Sequence, residues 1–160
     1  MKVTIRKATQ TDLGSILVLF DKLSLSDLPY DKDVDVNWAH TPDGKDYFIK
    51  KIEEINGVCF VAETGKKIVG YFTASKKEVP TYRLIIVADL ENLVVDGKFR
   101  SQGIGKELVD SFTSWAKEIG AKRISVNIFS GNEKGMKFYK REGFLPFETI
   151  LEKELNEPNV

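Results

Sequence analysis

The segment Leu93-Val94-Val95-Asp96-Gly97-Lys98-Phe99-Arg100-Ser101-Gln102-Gly103-Ile104-Gly105-Lys106 carries the clearest structural signal in this sequence. Its apolar start predicts a buried strand, its polar middle predicts a loop, and the periodic apolar residues from Ile104 onward predict a helix. Gly103 and Gly105 have no side chains, so a ligand can approach the backbone closely. The first amides of a helix lack partners and lie at the positive end of its dipole. The segment therefore predicts an anion site suited to a pyrophosphate, to which Lys106 adds positive charge.

Two common nucleotide-binding loops do not match this segment. The Rossmann loop needs a third glycine where Leu108 stands, and the Walker A loop needs Ser or Thr where Glu107 stands. Walker A also needs a glycine at the position of Arg100. The spacing that is present is Arg-x-x-Gly-x-Gly, formed by Arg100, Gly103 and Gly105, and Arg100 is placed to brace the loop.

Strand and helix patterns alternate along the rest of the chain. A strand is predicted over residues 3–7, and a helix capped by Thr9 follows through Leu23. Residues 24–40 predict a loop with a short helical piece, and Pro42 begins the next helix. Further strands are predicted at 58–63, 68–74, 84–95 and 124–128, a final extended segment at 144–155, and further helices at 103–119 and 132–142. We therefore expect one α/β domain over residues 1–160, with a mixed sheet, flanking helices and a parallel strand pair around the glycine loop.

Composition excludes several classes of function. The chain has 24 Lys and Arg and 24 Asp and Glu, so its formal net charge is zero, which argues against bulk electrostatic binding to nucleic acid or lipid. Cys59 is the only cysteine and His40 the only histidine, which excludes an intrachain disulfide and a cysteine zinc cluster. No apolar stretch reaches the ~20 residues that cross a bilayer, and the start does not resemble a signal peptide. We expect a cytoplasmic protein without a metal, a nucleic-acid partner or a membrane partner.

A second pattern lies downstream of the glycine loop. Asn132 stands at a predicted helix start, the pair Phe138-Tyr139 lies near the end of that helix, and Gly143-Phe144 follows it. Together with Arg100-x-x-Gly-x-Gly, this order resembles the GNAT superfamily of N-acetyltransferases, from Ile5 to Leu155. The resemblance implies the acyl-CoA N-acyltransferase fold and acetyl-CoA as co-substrate.

The resemblance also assigns roles to individual residues. It implies that Tyr139 lies beside the thioester sulfur and protonates the leaving thiolate, and that Glu91 takes the proton of the acceptor amine, directly or through a water. A backbone amide near Val94 would stabilise the oxyanion. The residues that it assigns to the cofactor are Leu93, Val94, Val95, Arg100, Ser101, Gln102, Gly103, Ile104, Gly105, Lys106 and Asn132.

The acceptor is the least defined part of this interpretation. We expect a small cationic amine or a lysine side chain, because Asp31, Asp33 and Asp35 lie where the resemblance places one wall of the acceptor site. In protein N-terminal acetyltransferases of the superfamily that this chain resembles, a longer loop here usually supplies tyrosines to the peptide groove. No tyrosine follows Tyr139, so the resemblance argues against protein N-termini as acceptors. Two alternatives stay open: a protein N-terminal or lysine acetyltransferase, and a non-catalytic acyl-CoA-binding regulatory module, which would not need both Glu91 and Tyr139. The sequence also leaves open whether the chain forms a homodimer.

Overall fold

The computed structural model describes residues 1–156, which contain five strands and four α-helices. The strands are β1 (Thr4–Lys7), β2 (Val58–Thr64), β3 (Lys67–Lys76), β4 (Val87–Val95) and β5 (Arg123–Val126). The helices are α1 (Leu13–Asp27), α2 (Pro42–Ile52), α3 (Ile104–Glu118) and α4 (Glu133–Arg141). None of the described helices combines the length and the apolar character needed to cross a membrane.

The five strands form one mixed sheet in the order β1-β2-β3-β4-β5. Neighbours are antiparallel from β1 to β4, whereas β4 and β5 are parallel. The parallel pair flanks α3, as a strand-helix-strand unit requires. The mixed sheet with flanking helices and this parallel pair confirm the predicted fold class.

The sheet carries an apolar core on each face, and β4 contributes to both. On one face Leu90 packs in the same buried cluster as Phe112 of α3. On the other face Val94 packs in the same buried cluster as Phe48 of α2. Leu90 and Val94 are four residues apart and would share a face in a regular strand, because side chains alternate with a period of two. Their opposite placement means that the alternation is interrupted between them.

Several element boundaries differ from the sequence-based expectation, and three of them shape the first helix and the sheet. The first helix continues past Leu23 to Asp27 and ends before Pro29, which disfavours helix in the residue ahead of it. Strand β4 begins at Val87 rather than at position 84. Its pairing with β3 starts at Ala88, which lies opposite Lys76, the last residue of β3. Strand β5 ends at Val126 rather than at position 128, where its pairing with β4 stops.

The segment after α4 also differs from the expectation. Residues 144–156 contain no strand, although the sequence predicts a final extended segment there. Its large apolar side chains face solvent: Leu145, Phe147, Ile150, Leu151 and Leu155 are 72–90% exposed. The ring of Phe147 lies against the guanidinium groups of Arg83 and Arg123, at 5.1 and 5.7 Å. This segment therefore adds no strand to the open edge of β5.

The turn between α2 and β2 depends on Gly57, and this generates a stability prediction. Gly57 has φ +124°, and an added Cβ would overlap the carbonyl oxygen of Ala74. Gly65 in the β2–β3 hairpin also has positive φ, +60°, but a Cβ there would meet nothing within 4 Å. We expect Gly65→Ala to cost about 1 kcal/mol from backbone strain alone. Gly57→Ala should cost at least ~3 kcal/mol because strain and overlap combine.

Urea denaturation of the two variants and the parent measures both costs. Equal destabilisation by the two substitutions would contradict the close approach of Gly57 to β3.

Candidate active site

The interruption in β4 is a β-bulge at Glu91. Thr73 of β3 pairs with Asn92, and the next residue, Ala74, pairs with Leu90, so Glu91 has no partner on β3. A bulge lets two successive side chains leave the same face of a sheet. Accordingly Glu91 and Asn92 both contact α2, which covers the face opposite to α3.

Beyond the bulge, one edge of β4 loses its neighbour. Strand β5 pairs with Val87 to Leu90 only, and its last pair is Leu90 with Val126. Pairing with β3 continues to Val95 on the other edge. Residues 91–95 therefore have no strand partner within the described chain on the β5 side. Leu93, Val94 and Val95, the residues predicted to present backbone groups to a ligand, lie on this open edge.

The loop that follows β4 holds a run of unpartnered backbone donors. The amides of the six consecutive residues from Ser101 to Lys106 donate no hydrogen bond to any acceptor in residues 1–156. The first protein-bound amide of this helix is that of Glu107, which donates to Gly103 O at 3.1 Å. Gly103 has φ +83° and forms the N-terminal cap of α3. Consecutive free amides at a helix N-terminus form an anion site.

The side chains around this loop fix its shape. Arg100 Nε donates to Val95 O at 3.2 Å, so Arg100 braces the loop against the end of β4. Lys106 Nζ is paired with Asp110 at 2.8 Å on the exposed face of α3. A Cβ on Gly105 would lie 3.2 Å from the ring of Phe138 in α4, whereas a Cβ on Gly103 would meet nothing within 4 Å. Gly105 is thus needed for packing of α3 against α4, and Gly103 for backbone conformation.

Tyr139 packs beside this loop with a free hydroxyl. Its ring contacts the core on the α3 face and lies edge-on to Phe138 and Phe144, with centroids 5.0 and 5.4 Å away. Burial raises the pKa of Tyr139 above its ordinary value, so the phenol keeps its proton at neutral pH. Among the described residues its hydroxyl has no hydrogen-bond partner. This proton is available to a group outside the chain.

Asn132 has a structural role in addition to the predicted ligand contact. Its Oδ1 accepts from Gly135 N at 3.0 Å, which caps α4. The Gly135 position is crowded, since a Cβ there would lie 2.8 Å from Asn132 Nδ2. The Asn132 Nδ2 group donates to no described acceptor, so the cap leaves it available to a ligand.

Glu91 belongs to a polar cluster that the sequence analysis did not identify. Its Oε2 accepts from Lys51 Nζ at 2.5 Å. Beside it the Tyr47 hydroxyl lies 3.0 Å from Thr73 Oγ1 and accepts from Asn92 Nδ2 at 3.1 Å. Lys51 is the fourth helical residue after Tyr47, but it looks in sequence like one of several surface lysines. Lys51 is distinguished from the surface lysines only by its position on the buried face of α2.

Other candidate groups are engaged elsewhere. The Asp31 and Asp35 side chains accept from the backbone amides of Asp33 and Asn37, so they partly serve their own turns. His40 Nε2 lies 2.8 Å from Asp21 Oδ2. Burial raises the pKa of the Cys59 thiol to about 12, which keeps it protonated and makes it a poor nucleophile at neutral pH.

Sequence comparison gives independent information on this site. The model of the acetyltransferase (GNAT) family matches residues 23–144, which include β4, the glycine loop and α4. An uncharacterized N-acetyltransferase of Methanocaldococcus jannaschii is 28% identical over 149 residues, which cover 92% of this chain and 62% of the relative. The chain thus spans less than two thirds of the length of that relative.

Solved structures share the fold. A structure described as a transcriptional regulator from Bacillus halodurans is 26% identical, with a TM-score of 0.76, and the match covers 96% of this chain and 100% of that one. An aminoglycoside N-acetyltransferase in complex with CoA is 21% identical, with a TM-score of 0.75, and the match covers 96% and 94% of the two chains. These similarities support the same overall fold.

The free amides of the glycine loop generate a binding prediction. Gly103→Ala adds a methyl group to the cap of α3, where it would meet a ligand held by the amides, and should abolish or strongly weaken CoA binding. Gly143→Ala is the matched control, because Gly143 has φ +92°, a Cβ there would also meet nothing within 4 Å, and it lies beyond α4. Both variants should lose about 1–2 kcal/mol of stability from the left-handed conformation.

Isothermal titration calorimetry with CoA measures the binding difference. Unchanged affinity of Gly103→Ala, or an equal loss in both variants, would show that the loop shape serves folding only.

Proposed function

Because the chain belongs to the acetyltransferase (GNAT) family, we propose that it transfers the acetyl group of acetyl-CoA to a primary amine by direct attack in a ternary complex. The observation that carries this proposal is the run of free amides from Ser101 to Lys106 beside the unpaired edge of β4. An extended pantetheine can add to a free strand edge as another strand would. The pyrophosphate is then suited to the amides at the N-terminus of α3.

In this proposal Leu93, Val94 and Val95 bind the pantetheine amides through their backbones, and Asn132 Nδ2 supplies a further donor. A free amide near Val94 stabilises the negative oxygen that forms when the amine adds to the thioester carbonyl. The new C–N bond forms, the C–S bond breaks, and no covalent intermediate with the chain is needed.

Three proton transfers complete the reaction. An alkylamine has an ordinary pKa near ~10.4 and arrives as an ammonium, so one proton must be removed before attack. Glu91 is the proposed acceptor of that proton, directly or through a water. The departing thiolate takes a proton from Tyr139, whose hydroxyl is protonated at neutral pH and bonded to no described residue. The amine nitrogen loses its second proton as the amide forms, and this proton restores the Tyr139 hydroxyl.

A cationic amine is the proposed acceptor. An open cleft between the segments Leu28–Asp33 and Glu152–Glu154 is lined by four carboxylates and two lysines. The carboxylates are those of Asp31, Asp33, Glu152 and Glu154. An excess of negative charge attracts a cation before it reaches the site. The similar aminoglycoside N-acetyltransferase acts on a substrate class of this kind, which supports a small polyamine-like acceptor over a protein.

A regulatory acyl-CoA-binding module is the second candidate, because the similar B. halodurans structure is described as a transcriptional regulator. The two candidates differ in one measurement, release of free CoA thiol in the presence of an amine. We expect thiol release from acetyl-CoA with at least one member of a panel containing spermidine, an aminoglycoside, a lysine peptide and a peptide with a free N-terminus. Binding of acetyl-CoA without thiol release above the uncatalysed rate for any amine would favour the module.

Tyr139→Phe tests the proposed general acid. The substitution keeps the packed ring and removes only the proton donor, so the single-turnover rate should fall by about 10²–10⁴ with acetyl-CoA affinity nearly unchanged. Tyr82→Phe is the matched control, because Tyr82 is 82% exposed and lies in the loop before β4. A Tyr139→Phe rate equal to that of the control would return Tyr139 to a packing role.

Glu91→Gln tests the proposed base through pH. The amide retains the shape of the side chain but cannot take up a proton, so the rate should be lost most at low pH, where the free amine is scarce. Raising the pH toward the pKa of the acceptor should restore most of the rate, because more amine is already deprotonated. A rate that is reduced equally across pH 6 to 9 would instead assign Glu91 to substrate orientation.

A further inference from the structure

Lys51 is the only buried lysine in the part of the chain that the structure describes. Its side chain is 5% exposed, although it belongs to α2, whose other face is polar. The neighbouring Lys50 side chain is 42% exposed and pairs with Asp46 one turn away. Burying an ammonium is costly unless it is paired and hydrogen-bonded, so the surroundings of Lys51 must compensate.

Three groups surround the Lys51 ammonium. Its Nζ donates to Asn56 O and to Glu91 Oε2, both at 2.5 Å. The same nitrogen lies 5.1 Å from the centre of the Tyr47 ring, a cation–π distance. Lys51 also lies in the last turn of α2, where the helix dipole favours a positive charge. The ammonium is therefore held from several directions, and Glu91 is its carboxylate partner.

The turn after α2 is shaped around this ammonium. Asn56 supplies a carbonyl to it, and the next residue, Gly57, has a conformation that favours glycine. A Cβ on Gly57 would lie 3.1 Å from Lys51 Nζ, in addition to its overlap with Ala74. A side chain at position 57 would therefore also crowd the Lys51 ammonium.

The β-bulge brings Glu91 to the same position. Without the extra residue in β4, Glu91 and Asn92 would lie on opposite faces. With it, Lys51 binds Glu91 while Asn92 binds the hydroxyl of Tyr47. The Glu91 side chain is 26% exposed, so its carboxylate is anchored from below by Lys51 and still reaches solvent.

From this arrangement we infer that Lys51 is a positioning residue for Glu91: it holds the carboxylate in one orientation, from which the carboxylate can reach the acceptor amine. This role rests on the proposed acetyl transfer, because it concerns the base of that reaction. Lys51 itself exchanges no proton with the substrate. A carboxylate that is already held in the reactive orientation needs no reorganisation before proton transfer. A displacement of about 1 Å can cost on the order of 10² in rate.

A purely structural role would give a different result. If the pair only tied α2 to β4, removing Lys51 would lower stability, and its effect on rate would be independent of Glu91. A positioning role acts only through Glu91, so removing Lys51 should have no further effect on rate once Glu91 is replaced. The test is therefore a double-mutant cycle.

The cycle uses Lys51→Met, Glu91→Gln and the double variant, with Lys50→Met as the matched control on the same helix. Methionine keeps the length of the side chain without the charge, and Lys51→Gln is a second variant that keeps a polar end. We expect Lys51→Met and Lys51→Gln to lower kcat by roughly 10-fold to 100-fold, with the KM for acetyl-CoA within about twofold of the parent. Lys50→Met should match the parent. The double variant should be no slower than Glu91→Gln alone.

The inference is overturned if both Lys51 variants keep the parent kcat, or if the losses from Lys51→Met and Glu91→Gln multiply in the double variant. If the parent releases no thiol with any amine, the proposed function fails. The Lys51–Glu91 ion pair is then tested by the thermal unfolding temperatures of the same variants. Non-additive losses of Tm in the cycle would then support an ion pair without a role in catalysis. Additive losses would contradict the ion pair as well as the positioning role.

Discussion

Strand β5 pairs with only the first four residues of β4, and the rest of the site depends on this interruption. Backbone groups that lack a partner in a sheet must find water or a ligand, because an unpaired polar group is costly to bury. The open edge of β4 leads directly into the loop whose amides are also free. The unpaired β5-side edge of residues 91–95 is thus followed, after the hydrogen-bonded turn at residues 96–99, by the free amides of residues 101–106. A long, polar, anionic cofactor matches that stretch better than a compact ligand.

The bulge in the same strand lets β4 contribute to both faces of the sheet. It reverses the alternation of side chains between the two faces of β4. Leu90 therefore packs under α3, while Val94 packs under α1 and α2. The reversal also places Glu91 against Lys51. A single extra residue therefore brings Val94 to the second core and Glu91 to Lys51. Substitutions that remove the bulge should disturb both the packing of Val94 and the contact between Glu91 and Lys51. The stability of β4 and the catalytic rate should therefore change together.

The sequence predicted the class of the fold, the parallel strand pair and the glycine loop, because these depend on local periodicity and on glycine positions. It placed the end of β5 at residue 128 and gave no sign of a bulge, since register depends on pairing between strands distant in sequence. For the same reason Lys51, Tyr47 and Asn92 were missed: their importance arises from contacts between α2 and β4. Gly105 was predicted to let a ligand approach the backbone, whereas its close neighbour in the structure is the ring of Phe138.

The central claim is that a cofactor lies along the free backbone of β4 and the glycine loop, and amide hydrogen exchange tests it residue by residue. On saturation with acetyl-CoA, the amides of Ser101 to Lys106 should exchange more slowly, together with at least one of those in residues 93–95. The amides of the β1–β2 pair, which already bond to each other, should change little. Slower exchange spread evenly over the sheet, or unchanged exchange in residues 101–106 despite binding, would contradict the account.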